Sequence, residues 1–333
     1  MIKIAINGFG RIGRNVLRAI YERGLENEIR VVAINDLAAL DTSIHLLKYD
    51  STHGRFMHRV QETPTGFTVG KHSIQAYTEK DPSKLPWGDL DVDIVMECTG
   101  YFRTPELAQS HIDAGARKVL ISAPGKGVEK TVVYGVNENI LKQTDTIVSN
   151  ASCTTNCLAH LAKAVEDSVG IEYGLVNTVH AYTNTQRLLD TSHKDKRRGR
   201  AAATSLIPTS TGSAKAIASV IPSLSGKLDA VAIRVPTQNV SLLDFSFVPT
   251  KPSSIDDVHA IFREYAKNRS GVFEVSDEPL VSIDYNHSPL SCAVDTLQTR
   301  QAGLMLKVFA WYDNEWGFSN RMIDTAFAMV HAE

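Results

Sequence analysis

The first forty residues constrain the fold more than any other part of the chain. A short apolar run, Ile2-Lys3-Ile4-Ala5-Ile6, leads into Asn7-Gly8-Phe9-Gly10-Arg11-Ile12-Gly13-Arg14. Val16, Leu17, Ile20 and Tyr21 then recur at helical spacing, and Gly24 offers a stop. Residues 29–34 read as a second strand, closed by Asn35-Asp36. Strand, G-x-G-x-x-G, helix, strand, acid is the opening unit of a dinucleotide-binding sheet. Gly8 allows the tight turn, Gly10 lets a pyrophosphate approach the backbone, and Gly13 lets the helix pack closely. The helix start offers N–H groups to phosphate. Asp36 falls a little over ~20 residues past the loop, where it can accept from a ribose 2′-hydroxyl. The three glycines alone are a weak signal; the flanking elements make it a strong one.

More alternating units follow. Residues 92–100 read as a buried strand closing in a turn, residues 105–114 as a helix, and residues 118–122 as another strand. Residues 131–136 and 146–149 are expected to complete a parallel α/β sheet. Ligands of such sheets sit at the carboxyl ends of the strands. Thr99, Gly100, Ser122 and Cys153 all lie at or just after such ends, so topology alone is expected to bring a thiol to the cofactor crevice.

With 333 residues the chain has room for two domains. Hydrophobic content of 43% and charged content of 22% are those of a soluble globular protein. A net charge of −2 gives no broad field for nucleic acid or membranes. No apolar stretch approaches the roughly 20 residues that span a bilayer, and the N-terminus shows no signal-peptide pattern. The four cysteines, Cys98, Cys153, Cys157 and Cys292, suggest neither a metal site nor a disulfide framework, so a reducing cytoplasm is expected.

Cys153 lies within Ser149-Asn150-Ala151-Ser152-Cys153-Thr154-Thr155-Asn156-Cys157, just ahead of the periodic run Leu158, Leu161, Ala162, Val165. That places it at a helix entrance, where N–H groups and the dipole favour a thiolate and are expected to lower its pKa. Taken alone, a cysteine is more often simply buried. Val176-Asn177-Thr178-Val179-His180-Ala181-Tyr182 alternates as a strand, and His180 is a candidate base for the thiol. The segment from Thr183 to Arg200 reads as a long polar loop with a basic cluster at residues 194–200. Such arginines serve either a solvated surface or small anions. Thr209-Ser210-Thr211-Gly212 precedes a helix over 213–221, a second anion cradle. Residues 228–234 read as a strand with 242–248 as its apolar neighbour, residues 307–311 as a late strand, and residues 320–330 as a terminal helix.

These segments carry the blocks INGFGRIGR, SNASCTTNCL, RRGRAAA, PTSTGSAKA, AIRVPTQNVS and WYDNEWGFSNR. Through them the chain resembles the glyceraldehyde-3-phosphate dehydrogenase family, from Ile4 to Met329. The resemblance implies a Rossmann-type α/β domain, residues 1–152 completed by the terminal helix 317–333. It implies an α+β catalytic domain, residues 153–316, with a mostly antiparallel sheet. It implies Cys153 as nucleophile and His180 as base. It places NAD on Gly8, Gly10, Arg11, Ile12, Gly13, Asp36, Lys80, Ser122 and Asn314, with no metal. Anions fall to Ser152 and Thr154, to Thr183 with Arg234 for the substrate phosphate, and to Thr211, Gly212 and the tandem Arg197/Arg198 for inorganic phosphate. The family works as a homotetramer in which the loop near 183–205 shapes a neighbour's cofactor pocket.

Several positions depart from the family pattern. Lys80 stands where an arginine is expected, and His160 where a proline is common. Thr191-Ser192 stands where many strictly NAD-using members of that family carry a proline and some NADP-accepting members a serine, which is compatible with NADP as a secondary cofactor, while Asp36 repels a 2′-phosphate. Residues 280–289 and 298–300 look like the erythrose-4-phosphate dehydrogenase branch. His180-Ala181-Tyr182-Thr183 and Ser210-Thr211-Gly212 keep the phosphorylating pattern, which favours the glyceraldehyde-3-phosphate reading. A non-catalytic RNA- or partner-binding role on the same fold is the third reading.

Overall fold

The computed structural model describes residues 1–333, which fall into two compact units. The first comprises residues 1–134, 138–151 and 319–333; the second comprises 135–137 and 152–318.

The first unit holds β1 (Ile2–Asn7), α1 (Arg11–Glu22), β2 (Ile29–Asn35), α2 (Leu40–Lys48), β3 (Tyr49–Asp50), β4 (Gly54–Arg55), β5 (Val60–Thr63), β6 (Gly66–Val69), β7 (His72–Tyr77), β8 (Ile94–Glu97), α3 (Pro105–Asp113), β9 (Lys118–Ile121), β10 (Lys130–Thr131) and β11 (Ile147–Ser149). Nine of its strands form one sheet in the order β10-β11-β9-β8-β1-β2-β7-β6-β5. Strands β10 to β7 run parallel. The order turns back at β1, and the register lines up Asn7, Asn35 and Glu97 at the strand ends. Two expectations are corrected here. Residues 131–136 form no full strand, because only Lys130 and Thr131 pair and Gly135, at φ +84°, bends the chain away. The sheet is not wholly parallel, because β5 and β6 add an antiparallel edge. Trp87, Val92, Val95, Ala5 and Ala33 pack as one core cluster.

The second unit holds α4 (Cys153–Ser168), β12 (Ile171–Ala181), β13 (Ile207–Ser210), α5 (Ser213–Val220), β14 (Leu228–Val235), β15 (Ser241–Pro249), α6 (Ile255–Ala266), β16 (Phe273–Ser276), β17 (Cys292–Ala302) and β18 (Met305–Tyr312). The last helix, α7 (Trp316–His331), begins there and continues into the first unit's residues. The seven strands lie in the order β13-β14-β12-β15-β18-β17-β16. Only β12/β14 and β16/β17 pair in parallel, so the sheet is mostly antiparallel. The expected β14/β15 neighbourhood is wrong: β12 inserts between them, pairing parallel with β14 and antiparallel with β15. Strand β12 alternates over its second half, and α4 packs against it. Ser254 and Asp257 cap α6 reciprocally, at 3.2 and 2.8 Å. No helix is long and apolar enough to cross a membrane.

Candidate active site

In the first unit, the loop after β1 has the steric demands the sequence suggested. Gly8 sits at φ +90°, and a Cβ there would lie 2.7 Å from Thr99 N. A Cβ on Gly13 would lie 2.3 Å from Gly8 O. Gly10 has open space on its Cβ side and caps α1 without any side-chain hydrogen bond. The Asp36 carboxylate accepts from Phe9 N–H (2.6 Å) and Ala38 N–H (2.9 Å), which leaves lone pairs on both oxygens. An open, uncapped helix start and a fixed acceptor suit a dinucleotide's phosphates and ribose. Ile12 lies in the same first turn as Arg11, whose guanidinium is paired with Asp50. Burial pushes Asp50 up, but hydrogen bonds from Arg11, His53 N–H and Thr52 N–H outweigh it and hold it at about 2. The Arg11 charge is thus engaged within the protein, by Asp50. Ser122 follows β9, its N–H bonded to Glu97 O at 3.0 Å. Lys80 is exposed, next to Glu79, whose backbone is bracketed by the Asn35 amide at 2.8 Å on each side.

Beneath this loop lies a buried network that the sequence reading missed. Glu97 Oε2 accepts from Asn7 Nδ2 (2.6 Å) and His111 Nε2 (3.1 Å); Oε1 accepts from Thr99 N–H (2.7 Å) and the Thr99 hydroxyl. Trp87 Nε1 lies 3.1 Å from His111 Nδ1. An indole N–H can only donate, so Nδ1 accepts and Nε2 carries the proton that Glu97 receives.

In the second unit, Ser152 caps α4, its Oγ accepting from Thr155 N–H at 3.0 Å. The preceding Ala151 is held at φ +57°, a conformation rare for non-glycine residues. Cys153 thus opens the helix, with Sγ 3.5 Å from His180 Nε2. Strand register puts His180 beside Arg234. Arg234 NH1 lies 2.8 Å from His180 Nδ1, 2.9 Å from Ala181 O and 3.5 Å from Thr183 Oγ1. Arg234 Nε is buried with no partner, so the guanidinium has donor capacity to spare.

Burial pushes the Cys153 thiol up, against Arg234, the Thr154 hydroxyl and N–H, and its own N–H. The expected lowering at a helix entrance is therefore corrected for the thiol taken alone: desolvation outweighs the helix terminus. Burial also pushes His180 down to about 3, and Arg234 adds to it. Neither group ionises easily by itself. Passing the proton from Sγ to Nε2 leaves the net charge unchanged and creates an ion pair. Opposite charges 3.5 Å apart attract by about 5 kcal/mol at an effective dielectric of 20.

Tyr312 is a buried part of the site that sequence reasoning missed. Its hydroxyl meets Thr154 Oγ1 at 2.9 Å and Thr178 Oγ1 at 2.7 Å. Its ring stands edge-on to His180, with centroids 6.0 Å apart. Thr154 is therefore turned inward, toward Tyr312, and the Ser152 hydroxyl is occupied in capping. The only signal for Tyr312 was its place at the end of a strand before Asp313-Asn314. Asn314 is held by Ser241 Oγ at 2.8 Å.

The segment expected to form a second anion cradle lies at the start of α5. Gly212 caps it without a side chain, and Thr211 Oγ1 meets Ser213 Oγ at 3.1 Å. The tandem arginines separate here. Arg198 runs along β13, with Nε 2.9 Å from Thr209 Oγ1 and NH2 3.3 Å from Ser210 O. Its charge also reaches His180 and Arg234. Arg197 is exposed, and its guanidinium reaches Pro208 O at 3.5 Å. Among the residues that look like the erythrose-4-phosphate branch, Tyr285 stacks on Trp311 (5.8 Å), His287 on Trp316 (3.8 Å), and Thr299 lies in β17 against His259. His160, two turns into α4, is buried against Tyr265 (3.0 Å) and Gly135.

Residues 2–105 match the glyceraldehyde 3-phosphate dehydrogenase NAD binding domain, and residues 152–314 match the C-terminal domain of the same family. The chain is 53% identical over 333 residues to the chromosomal glyceraldehyde-3-phosphate dehydrogenase of Cupriavidus necator, covering 99% of both chains. It is 50% identical over 331 residues to that of Pseudomonas aeruginosa, with 99% of both covered. It is 52% identical over 330 residues to that of Xanthobacter flavus, with 98% of both covered. With both domains matched and full-length relatives at half identity, the chain belongs to the glyceraldehyde-3-phosphate dehydrogenase family.

Proposed function

We propose that this chain oxidises and phosphorylates D-glyceraldehyde 3-phosphate to 1,3-bisphosphoglycerate with reduction of NAD. The observation that carries the reading is Cys153 Sγ within 3.5 Å of His180 Nε2, with Arg234 against the other side of the same imidazole. Cys153 attacks the aldehyde carbon, and His180 Nε2 holds the proton that the hemithioacetal hydroxyl gives up. Bound NAD supplies the hydride acceptor. The thioester left on Cys153 is then attacked by inorganic phosphate, which releases the acyl phosphate and restores the thiolate.

The cofactor's residues in this reading are Gly8, Gly10, Arg11, Ile12, Gly13, Asp36, Lys80, Ser122 and Asn314. Asp36 supports NAD over NADP, because its carboxylate opposes a 2′-phosphate; Ser192 leaves NADP a secondary role. Arg234 and Thr183 hold the substrate phosphate. Thr211, Gly212 and, of the tandem pair, Arg198 hold the inorganic phosphate, with Ser152 and Thr154 shaping the helix entrance. In this reading residues 1–152 with 317–333 form the cofactor domain and residues 153–316 carry the chemistry, with Asn314 lent to the cofactor from the second unit.

The chain works as a homotetramer in the cytoplasm in this reading. The outer face of the second sheet exposes Tyr173, Leu175 and Val231, and the loop over 183–205 exposes Leu188 and Leu189, which a second copy would cover. Sedimentation of the purified chain tests the assembly. The chemistry is tested by kcat/KM for D-glyceraldehyde 3-phosphate and erythrose 4-phosphate at saturating NAD, with and without inorganic phosphate. A preference for erythrose 4-phosphate, or turnover indifferent to inorganic phosphate, overturns the assignment. So does near-normal turnover by Cys153→Ser.

A further inference from the structure

Ser241 is buried at the start of β15 and has no part in the chemistry described so far. Its hydroxyl stands between two groups. Ala181 N–H donates to Ser241 Oγ at 3.1 Å, and Asn314 Oδ1 lies 2.8 Å away. A serine hydroxyl has one proton and two lone pairs. Ala181 N–H takes a lone pair. The remaining proton has one acceptor in reach, Asn314 Oδ1. Were the Asn314 amide turned over, its NH2 would point at the same oxygen, and the buried serine proton would have no acceptor. Burying a hydroxyl proton unpaired is unfavourable, so the amide is locked with Nδ2 directed away from Ser241.

The surrounding backbone shows that this contact is built, not incidental. Val240, just before Ser241, sits at φ +67°, an outlier for a β-branched residue. It is held there by packing against Tyr285, Ala293 and Trp311. Asn239 Nδ2 donates to Asp313 Oδ2 at 2.8 Å and to Asn286 Oδ1 at 2.9 Å. Asp313 in turn accepts from Trp316 N–H at 2.7 Å and Glu315 N–H at 2.9 Å. The residues just ahead of Ser241 and Asn314 are thus clamped to each other.

We infer that Ser241 is a positioning residue for the nicotinamide end of the cofactor: it fixes Asn314 Nδ2 as an outward donor for the carbonyl of a carboxamide. The same hydroxyl holds the N–H of Ala181, the residue whose carbonyl meets His180 and Arg234. One side chain therefore ties the amide that would orient the ring to the strand that carries the base. The inference rests on the reading that Asn314 contacts the nicotinamide.

The test is calorimetric titration of the full chain with NAD and with ADP-ribose, which lacks the nicotinamide. Ser241→Ala is expected to weaken NAD by about tenfold, the size of one hydrogen bond, and ADP-ribose by less than about twofold. Ser241→Thr, which keeps the hydroxyl, is expected to restore NAD affinity. In an Asn314→Ala background, Ser241→Ala is expected to add less than about twofold, because the two act through one contact. Unchanged NAD affinity in Ser241→Ala, equal losses of NAD and ADP-ribose, or multiplying effects in the double variant each overturn the inference. An Asn314→Ala chain that binds NAD normally overturns both the inference and the contact it rests on. A weakened Asn314→Ala chain beside an unaffected Ser241→Ala chain overturns the inference alone.

Discussion

Replacing Glu97 by Gln should destabilise the first unit out of proportion to the change of one atom. The carboxylate accepts four hydrogens, two on each oxygen. An amide must present NH2 at one of those places. It cannot do so at Oε2, because both neighbours are locked as donors. His111 Nε2 carries its proton because Trp87 occupies Nδ1 at 3.1 Å. Asn7 cannot turn over, because its Oδ1 accepts from Asn35 Nδ2 at 2.7 Å, and Asn35 is fixed in turn by Glu79 N and O. The NH2 must therefore face Thr99. The Thr99 hydroxyl can rotate, but its backbone N–H cannot, and it is left against another donor. Losing a charge-assisted bond and stranding a half-buried N–H together cost about 3 kcal/mol. At about 2–4 °C per kcal/mol for a chain of this size, the unfolding midpoint falls on the order of 6–12 °C. The assay is a thermal melt with amide exchange at Thr99, whose protection should drop by a factor on the order of 10². NAD affinity should fall as well, because Asn7, Asn35 and Glu97 end the strands that carry Gly8, Asp36 and Thr99. A melt within about 2 °C of the native chain, with Thr99 protection unchanged, refutes the proton accounting.

Gly13→Ala should abolish NAD binding measured by calorimetry while leaving the second unit folded, because its Cβ would sit 2.3 Å from Gly8 O, a backbone atom that cannot yield; affinity within threefold of native would show the loop to be softer than argued. His180→Asn should slow turnover by about 10²–10⁴ and move the iodoacetamide reactivity of Cys153 to higher pH, since the thiol is then left to burial alone. Peptide mapping should find the label on Cys153 and not on the fully buried Cys157. Acid stability checks the base separately. The unfolded imidazole takes up a proton near pH 6.5, whereas the folded one is pushed to about 3. Stability is thus fully present above about pH 6.5 and is lost as pH falls toward 3, by at most about 5 kcal/mol. Denaturant melts of His180→Asn should show a shallower acid limb; identical slopes would mean that His180 is not buried neutral.

The sequence was legible where a local pattern has one physical cause. Gly8, Gly10, Gly13 and Asp36 were placed by spacing, because a turn, a close approach and an acceptor each demand a residue type. Cys153 was placed by its helix entrance. What stayed hidden was set by long-range register. His180 meets Arg234 because β12 and β14 pair in parallel, which no window of sequence reveals. Strands β16 and β17 carry no local signal of that kind, and β15 takes β12 rather than β14 as its neighbour, since adjacency in a mixed sheet is decided by crossovers. Glu97, Tyr312 and Ser241 look ordinary in sequence; their importance lies in partners up to 158 residues away, the separation of Thr154 and Tyr312. The thiol departs from expectation for a related reason: a helix terminus is visible in sequence, but the desolvation that opposes it is not.

The atoms around His180 also settle how one proton serves the pair. His180 Nδ1 lies 2.7 Å from an acceptor, Ala181 O, and 2.8 Å from a donor, Arg234 NH1. A neutral ring can satisfy only one of them at a time. With the proton on Nδ1, it donates to Ala181 O, and Nε2 presents a lone pair to the thiol. With the proton on Nε2, Nδ1 accepts from Arg234, and Nε2–H points at sulfur. Once the thiol proton has moved to the ring, both nitrogens are donors. Nδ1–H then belongs to Ala181 O, Nε2–H to the thiolate, and Arg234 NH1 keeps Ala181 O and Thr183 Oγ1. In each form one neighbour of Nδ1 gives way, Ala181 O when Nδ1 is bare and Arg234 NH1 when it carries a proton, while Nε2 keeps the sulfur as its partner. That freedom is what a group needs if it is to take a proton in one step and return it in another. A histidine fixed by a carboxylate on Nδ1 would be held in a single tautomer and made more basic; here a carbonyl and a cation share the position, so the ring stays neutral until the sulfur supplies the proton.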